Sequence, residues 1–256
     1  MISKSVVKLV KQLHQKKYRN ELKLFIAEGE KIISELLTSS YTIHSLYATA
    51  EWLTYAELKN IAFPVFQVNE RELMEISLHD TPNQVMALVH QPEIKSTVSF
   101  QNDKNYLVLD AIRDPGNLGT ILRIADWFGF DHLIGSADCV ELFNPKVVQS
   151  SMGSIFRVAY AQGALVDLLS SEQEANKPKI YGAVLDGNSI YNERFGKGAI
   201  IVIGNESNGI STSTRALIDQ AIAIPSFNTS NNKPESLNAA IAAAICCAEV
   251  RRQQMA

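Results

Sequence analysis

The stretch 106–130, YLVLDAIRDPGNLGTILRIADWFGF, restricts the fold more than any other part of the chain. Residues 106–112 form an apolar run of strand length, rich in β-branched and aromatic side chains. Residues 113–116, Arg-Asp-Pro-Gly, read as a turn, because Pro115 fixes φ and Gly116 accepts φ above zero. Asn117 is then placed to cap a helix running to about Phe128. Ile121, Leu122, Ala125 and Phe128 form its buried stripe, and Gly129 its C-cap. A polar loop thus joins the end of a buried strand to the start of a helix, and open parallel α/β sheets bind ligands at such loops. Arg123, six positions after Asn117, does not suit a core.

The rest of the chain repeats this alternation. Residues 24–27, 43–48, 65–68 and 85–89 read as strands, with helices over 28–37, 51–59 and 70–77. They make a small α/β unit ending near His90. Residues 91–104 contain Pro92, several Ser, Thr and Asn residues and little apolar periodicity, so a linker is expected there. Beyond it, strands are expected at 132–134, near 158–159, at 180–185 ending in an Asp186-Gly187 turn, at 199–203 and at 221–224. Helices are expected at 145–152, 165–169 and from Ser236 to about Arg252. The expected organisation is an N-terminal domain over 1–91, a linker over 92–104 and a mostly parallel α/β domain over 105–256. Three segments, 113–117, 204–211 and 225–238, share the form of apolar strand, polar loop and helix. In a parallel sheet their loops emerge on one edge and can share a crevice.

Composition and motifs exclude several classes. With 46% apolar and 20% charged residues among 256, the chain is ordinary globular material. A net charge of −3 argues against a globally basic nucleic-acid binder. Cys139, Cys246 and Cys247 are too few and too poorly spaced for a disulfide framework or a zinc site. The five histidines are scattered, and a metal is not expected. No apolar run reaches membrane-spanning length and the lysine-rich N-terminus lacks a secretory apolar core, so the expectation is a reducing cytoplasm without a membrane partner. GNLGT is no G-x-G-x-x-G, GNESNGIS lacks the Lys-Ser/Thr of a P-loop, and no G-x-S-x-G is present. A nicotinamide oxidoreductase and a hydrolase are therefore disfavoured.

Charge is distributed unevenly. Residues 1–31 hold eight Lys or Arg against three acids, a local balance of +5. Ser3 can cap a helix with Val6, Val7, Val10 and Leu13 inward and Lys4, Lys8 and Lys11 on one outer face. With Lys16, Lys17 and Arg19 these make either a solvated helix face or a phosphate-contacting patch.

NLGTILR at 117–123, IVIGNESNGIS at 201–211 and IPSF with SLNAAIAAAICCAEVRRQ across 224–253 resemble, in order and separation, the three motifs of the SpoU-type (TrmH-like) RNA ribose 2′-O-methyltransferases of the SPOUT superfamily. RNELKLFIAEGEKIISELL (19–37) and TPNQVMALV (81–89) are similar to that family's substrate-binding domain. The resemblance implies a deep trefoil knot in the C-terminal domain, S-adenosyl-L-methionine as cofactor, and a homodimer through that domain. It also implies a ribosomal-protein-like RNA-binding fold at the N-terminus. The implied substrate is structured RNA, ribosomal in preference to transfer RNA, bound in part by Lys4, Lys8, Lys11, Lys16, Lys17 and Arg19. A knotted RNA-binding or ribosome-assembly protein without catalysis is the alternative, carried by one departure. The loop 225–235 is longer than the family's and has no glycine, which fits either a lid or altered cofactor binding.

The resemblance also assigns roles. Arg123 matches the catalytic arginine, Asn117 the motif asparagine, Glu206 the motif glutamate, and Ser236 and Asn238 the motif 3 serine and asparagine. Cofactor contacts, largely through backbone, fall on Gly204, Ile224, Leu237, Leu185 and Gly187. Without the motif, Arg123 would be read as pairing with Asp126 or Asp110, Asn117 as a helix cap, Glu206 as a solvated carboxylate, and Ser236 as the cap of the last helix.

Overall fold

The computed structural model describes residues 2–255 except 57, 59, 60, 78, 80, 82, 171–176, 229 and 231–233. The chain forms two compact units, Met1–Glu93 with Glu141–Arg157, and Ile94–Val140 with Val158–Ala256.

In the first unit the Ser3 hydroxyl accepts the Val6 N–H and starts α1, Lys4–Leu13. Val10 and Leu13 are fully buried, Val6 and Val7 pack on the same core, and Lys4, Lys8 and Lys11 are exposed. α2, Lys16–Leu22, ends at Lys23 in the left-handed region. Then follow β1 (Leu24–Glu28), α3 (Glu30–Leu37), β2 (Ile43–Ala48), α4 (Ala50–Tyr55), β3 (Val65–Gln67), α5 (Glu70–Ile76) and β4 (Val85–His90). β4 lies between β1 and β2, antiparallel to both, and β3 pairs parallel with β2. α3 starts later than the sequence predicts. Glu28 closes the buried strand, its carboxylate accepting the Ser77 hydroxyl at 2.6 Å, and Gly29, at φ 105°, turns the chain into the helix. α4 is shorter than predicted, ending at Tyr55; of its expected last residues, 56 and 58 are not helical and 57 and 59 lie outside the described ones. Residues from 141–157 complete this unit. Phe143 stacks on Phe25 with centroids 4.7 Å apart, and Phe156 meets Tyr41 edge-on at 5.1 Å.

The second unit continues with β5 (Asn105–Leu109), α6 (Pro115–Trp127) and β6 (His132–Ser136). The chain returns from α7 (Pro145–Ser151, in the first unit) into β7 (Ala159–Gly163), α8 (Leu165–Leu169), β8 (Ile180–Ser189), β9 (Ala199–Ile203), α9 (Thr212–Arg215), β10 (Gln220–Ala223) and α10 (Ala239–Gln254). The six strands form one parallel sheet in the order β10-β8-β9-β5-β6-β7. β5 and β9 are central and buried along their whole length, as the apolar runs 106–109 and 199–203 in a doubly covered parallel sheet should be. Val98 and Phe100, inside the segment 92–104, are buried in this core beside Tyr106 and Val108. From β5 the chain leaves toward β6, and from β9 toward β10 on the other side. Their loops therefore diverge above an adjacent strand pair, which is where such sheets open a crevice.

Three local expectations are corrected. α6 is capped by Asp114, whose carboxylate accepts the Asn117 N–H at 2.8 Å. Pro115 takes the first helical position, where its missing N–H costs nothing, so Asn117 falls inside the first turn with its side chain free for other work. β8 does not end at Asp186-Gly187 but runs on to Ser189. A Cβ on Gly187 would lie 2.5 Å from the Ile222 carbonyl carbon, so glycine serves close strand approach there rather than a turn. α10 is capped by Asn238, not Ser236, with Asn238 Oδ1 accepting the Ala240 and Ile241 N–H groups at 3.0 and 3.3 Å. Among the described residues no helix is long and apolar enough to cross a membrane.

Candidate active site

Two contacts lock the β5 and β9 loops together. Asp110, buried at the end of β5, accepts both the N–H and the hydroxyl of Ser211 at 2.8 and 2.7 Å. Ala111 follows at φ 58°, a left-handed conformation that costs a non-glycine residue about 1 kcal/mol. Its N–H donates to the Ser136 hydroxyl at 2.9 Å, and its carbonyl accepts Asn205 Nδ2 at 3.1 Å. Asn205 shapes the β9 loop as well. Its Oδ1 accepts the Ser207 and Asn208 N–H groups, and its backbone exchanges two hydrogen bonds with Gly209. The loop is so tight that a Cβ on Gly204 would lie 2.3 Å from the Gly209 carbonyl carbon. Asp110, Ala111, Asn205 and Ser211 were not singled out as site residues from the sequence; a short polar side chain within two residues of the end of each central strand, Asp110 and Asn205, was the available signal.

Four of the five expected catalytic residues meet at this junction. Asn238 Oδ1 is committed to the N-terminus of α10, so its Nδ2 faces outward and donates to Asn117 Oδ1 at 2.9 Å. Asn117 Nδ2 in turn donates to Glu206 Oε1. The same oxygen accepts the Ala239 N–H at 3.4 Å, and the Ser236 hydroxyl reaches the Glu206 carbonyl at 3.5 Å. An amide can run this chain in only one direction, because the helix cap fixes which end of Asn238 is the donor. The loops after β5, β9 and β10 are thus pinned by one directional relay.

Arg123 is not part of it. It sits on the exposed face of α6, about 9 Å along the axis from Asn117, away from the buried Leu118, Ile121, Leu122 and Ala125. It makes no hydrogen bond or ion pair with another described residue, and Asp110 is engaged by Ser211. An always-protonated, five-donor group is therefore presented uncommitted among the described residues.

Beside the relay lies a cleft of about 380 Å³, within the range of small-molecule sites. Of the expected cofactor residues, Gly204, Ile224, Leu237 and Leu185 line it, as do Glu206 and Ser236. Gly187 does not; it is spent on the contact with β10. Leu185 and Leu237 are 78% and 47% exposed, so the cleft offers apolar walls together with the backbone groups of a glycine-cradled loop. That combination fits an adenosyl group, whose apolar ring can be read by backbone donors and acceptors. At its edge Arg215 grips both carboxylate oxygens of Asp186 at 3.0 and 2.8 Å, and this bond holds the Asp186 carboxyl below its ordinary range. Among the described residues no group of acids, histidines and cysteines is arranged to hold a metal ion.

In the first unit Lys4, Lys8, Lys11, Lys16 and Lys17 are exposed, as an RNA-contacting set requires. Arg19 is not available to RNA. It is 2% exposed, its Nε 2.6 Å from Glu141 Oε1 and its Nη1 donating to the Leu13 carbonyl at 2.7 Å. A charge carried into the interior has to be paired, and the pair comes from the distant segment 141–157, which no local pattern announces.

A parallel sheet with a crevice over its central strands, closed by a relay between three loops, defines an α/β protein with a nucleoside-sized site. The SpoU rRNA methylase family model matches residues 104–248, and the MRM3-like substrate-binding domain matches residues 4–87. The chain belongs to the SpoU rRNA methylase family. It is 30% identical over 246 residues to the 23S rRNA (guanosine(2553)-2′-O)-methyltransferase RlmP of Bacillus subtilis, covering 96% of this chain and 95% of that one. A TrmH-family structure from Porphyromonas gingivalis superposes with a TM-score of 0.87 at 36% identity, covering 98% of this chain and 99% of that one. An AdoMet-bound rRNA methyltransferase structure from Sinorhizobium meliloti gives 0.87 at 28% identity, covering 98% and 97%.

Proposed function

We propose that this chain transfers a methyl group from S-adenosyl-L-methionine to a ribose 2′-hydroxyl of ribosomal RNA. The observation that carries the reading is the Asn238–Asn117–Glu206 relay beside a cleft lined by Gly204, Ile224 and Leu237. Bound there, S-adenosylmethionine supplies an electrophilic methyl on a sulfonium. The protein must then hold a weakly nucleophilic hydroxyl in line and stabilise the negative charge that develops on it. Arg123 does this as a fixed cation. It is no proton acceptor, since a guanidinium stays protonated, and an RNA phosphate takes the proton. Glu206 and Asn117 hold the loops in register, and Ser236 and Asn238 fix the third loop.

The enzyme works as a homodimer through its C-terminal domain. Arg123 does not line the cleft of its own chain, and α6 and α10 leave Trp127, Ile241 and Met255 exposed, which supports completion of the site by a partner subunit. The chain end is threaded as a trefoil knot. The run out to edge strand β10 and the return of α10 onto β9 and α6 support it. Residues 1–91 bind the RNA through Lys4, Lys8, Lys11, Lys16 and Lys17. The named relatives are rRNA methyltransferases and one similar structure holds AdoMet, so the non-catalytic reading is not retained. The long loop 225–235 lies partly outside the described residues.

The test is to compare ribose methylations in ribosomal RNA from cells with and without the gene. Loss of one 2′-O-methylation, restored by adding the purified protein and S-adenosylmethionine to the undermethylated RNA, supports the reading. An unchanged map contradicts it.

A further inference from the structure

The first unit carries a second site, a shallow open concavity formed by the outer face of α1 and the start of α2. Lys4, Lys8, Lys11, Gln12, Gln15 and Tyr18 line it, over a floor that includes Val7. The lysines fall at i, i+4 and i+7 of one helix, so their ammonium groups form a row about 10 Å long. None of the three lysines makes an ion pair with another described residue. The far end of the site is different chemistry. Gln15 sits at the N-cap of α2 without using its side chain as the cap, and no other described group engages the Gln12 or Gln15 amide. Tyr18 adds an aromatic ring with Lys17 Nζ 5.7 Å from its centroid.

A row of point charges reads phosphates alone. Two amides without a described partner and a ring read a base, the amides along its edge and the ring across its face. In a paired helix the base faces are stacked away, so such a site takes an unpaired nucleotide. From this juxtaposition we propose that the α1–α2 concavity is a nucleotide subsite, in which an unpaired base of the RNA stacks on Tyr18 and is read by Gln12 and Gln15 while Lys4, Lys8 and Lys11 hold the flanking phosphates. The inference rests on the reading of RNA as the substrate. The net charge of −3 supports a short localised contact rather than a general basic surface.

The test uses the full-length protein with single-stranded decamers of each ribonucleotide and a fully paired RNA duplex of matched length. The wild type is expected to bind single strands more tightly than duplex. Tyr18→Ala should weaken single-strand binding by about tenfold or more, the size of one lost base stack, and leave duplex binding unchanged. Lys8→Gln should weaken both RNAs alike and lower the salt slope by about one. S-adenosylmethionine affinity, read by calorimetry, should match the wild type in both variants and certify the fold. Equal binding of the two RNAs by the wild type, or a Tyr18→Ala variant that binds single strands normally, overturns the subsite. Methyl transfer to ribosomal RNA by these variants separates the outcomes. If transfer occurs while Tyr18 proves irrelevant, only the subsite fails; if the wild type methylates no RNA, the functional reading fails first.

Discussion

Asn117 and Asn238 lie 121 residues apart and are joined side chain to side chain at 2.9 Å, with the direction of the bond set by a helix cap. Asn238 Oδ1 serves the first N–H groups of α10, so its amide can only donate to Asn117, and Asn117 can only donate to Glu206. A structural duty, starting a helix, thereby fixes the orientation of a functional side chain on a different helix.

This separates two substitutions that look alike. Asn238→Asp keeps an oxygen for the α10 N–H groups but removes the donor facing Asn117. Asn117 must then turn its own donor to the new carboxylate and present its oxygen to Glu206, which breaks the relay. Thermal stability should stay within about 0.5 kcal/mol of wild type while methyl transfer falls at least tenfold. Asn238→Ala should lose transfer and also about 1 kcal/mol of stability, the usual worth of an N-cap. Thermal denaturation and single-turnover transfer, measured on both variants, distinguish the two effects.

The glycines of the β9 loop make a second contrast. Gly204→Ala forces a methyl against the Gly209 backbone at 2.3 Å, so the loop must open and cofactor binding should be lost. Gly209 has φ 67° but open space around it, so Gly209→Ala should cost only about 1 kcal/mol and leave affinity within a few-fold. Calorimetry with S-adenosylmethionine on each variant checks the pair.

The alternation of strands and helices was legible because central strands such as 199–203 are continuous apolar runs and α1 has a clean helical stripe. The three loops were legible for the same reason, each following such a strand. Less visible was everything set by contact between distant segments. Gly187 reads locally as a turn, and only the approach of Ile222 explains it. Arg19 belongs by composition to a basic patch, and only Glu141, 122 residues away, shows that it is buried. Ala111 carries no sign of its left-handed backbone, which is imposed by its bonds to Ser136 and Asn205.

Arg19 yields a prediction about stability rather than RNA binding. Arg19→Met leaves the mostly buried Glu141 carboxylate without its cation, and should destabilise the first unit by about 3 kcal/mol. RNA binding measured below the melting transition should keep its salt slope. Chemical denaturation and a salt titration check the two halves of the statement.

The same unit should be sensitive to alkali. Burial pushes the Tyr41 phenol up to about 12, and its hydroxyl donates to the Ile155 carbonyl at 3.2 Å. An unfolded tyrosine ionises near 10, so the unfolded state loses its proton first. The contribution of Tyr41 to stability is whole below pH 10 and is lost as pH rises from 10 to 12. Tyr41→Phe should be less stable than wild type at pH 8, and the gap should narrow by pH 11 in denaturant titrations.

The central claim is tested most directly by incubating undermethylated ribosomal RNA with labelled S-adenosylmethionine and digesting it to nucleosides. The account predicts a single 2′-O-methylnucleoside with wild-type protein and none above background with Arg123→Ala, whose cofactor affinity stays within a few-fold. A methyl group on a base, or normal turnover by Arg123→Ala, would contradict it.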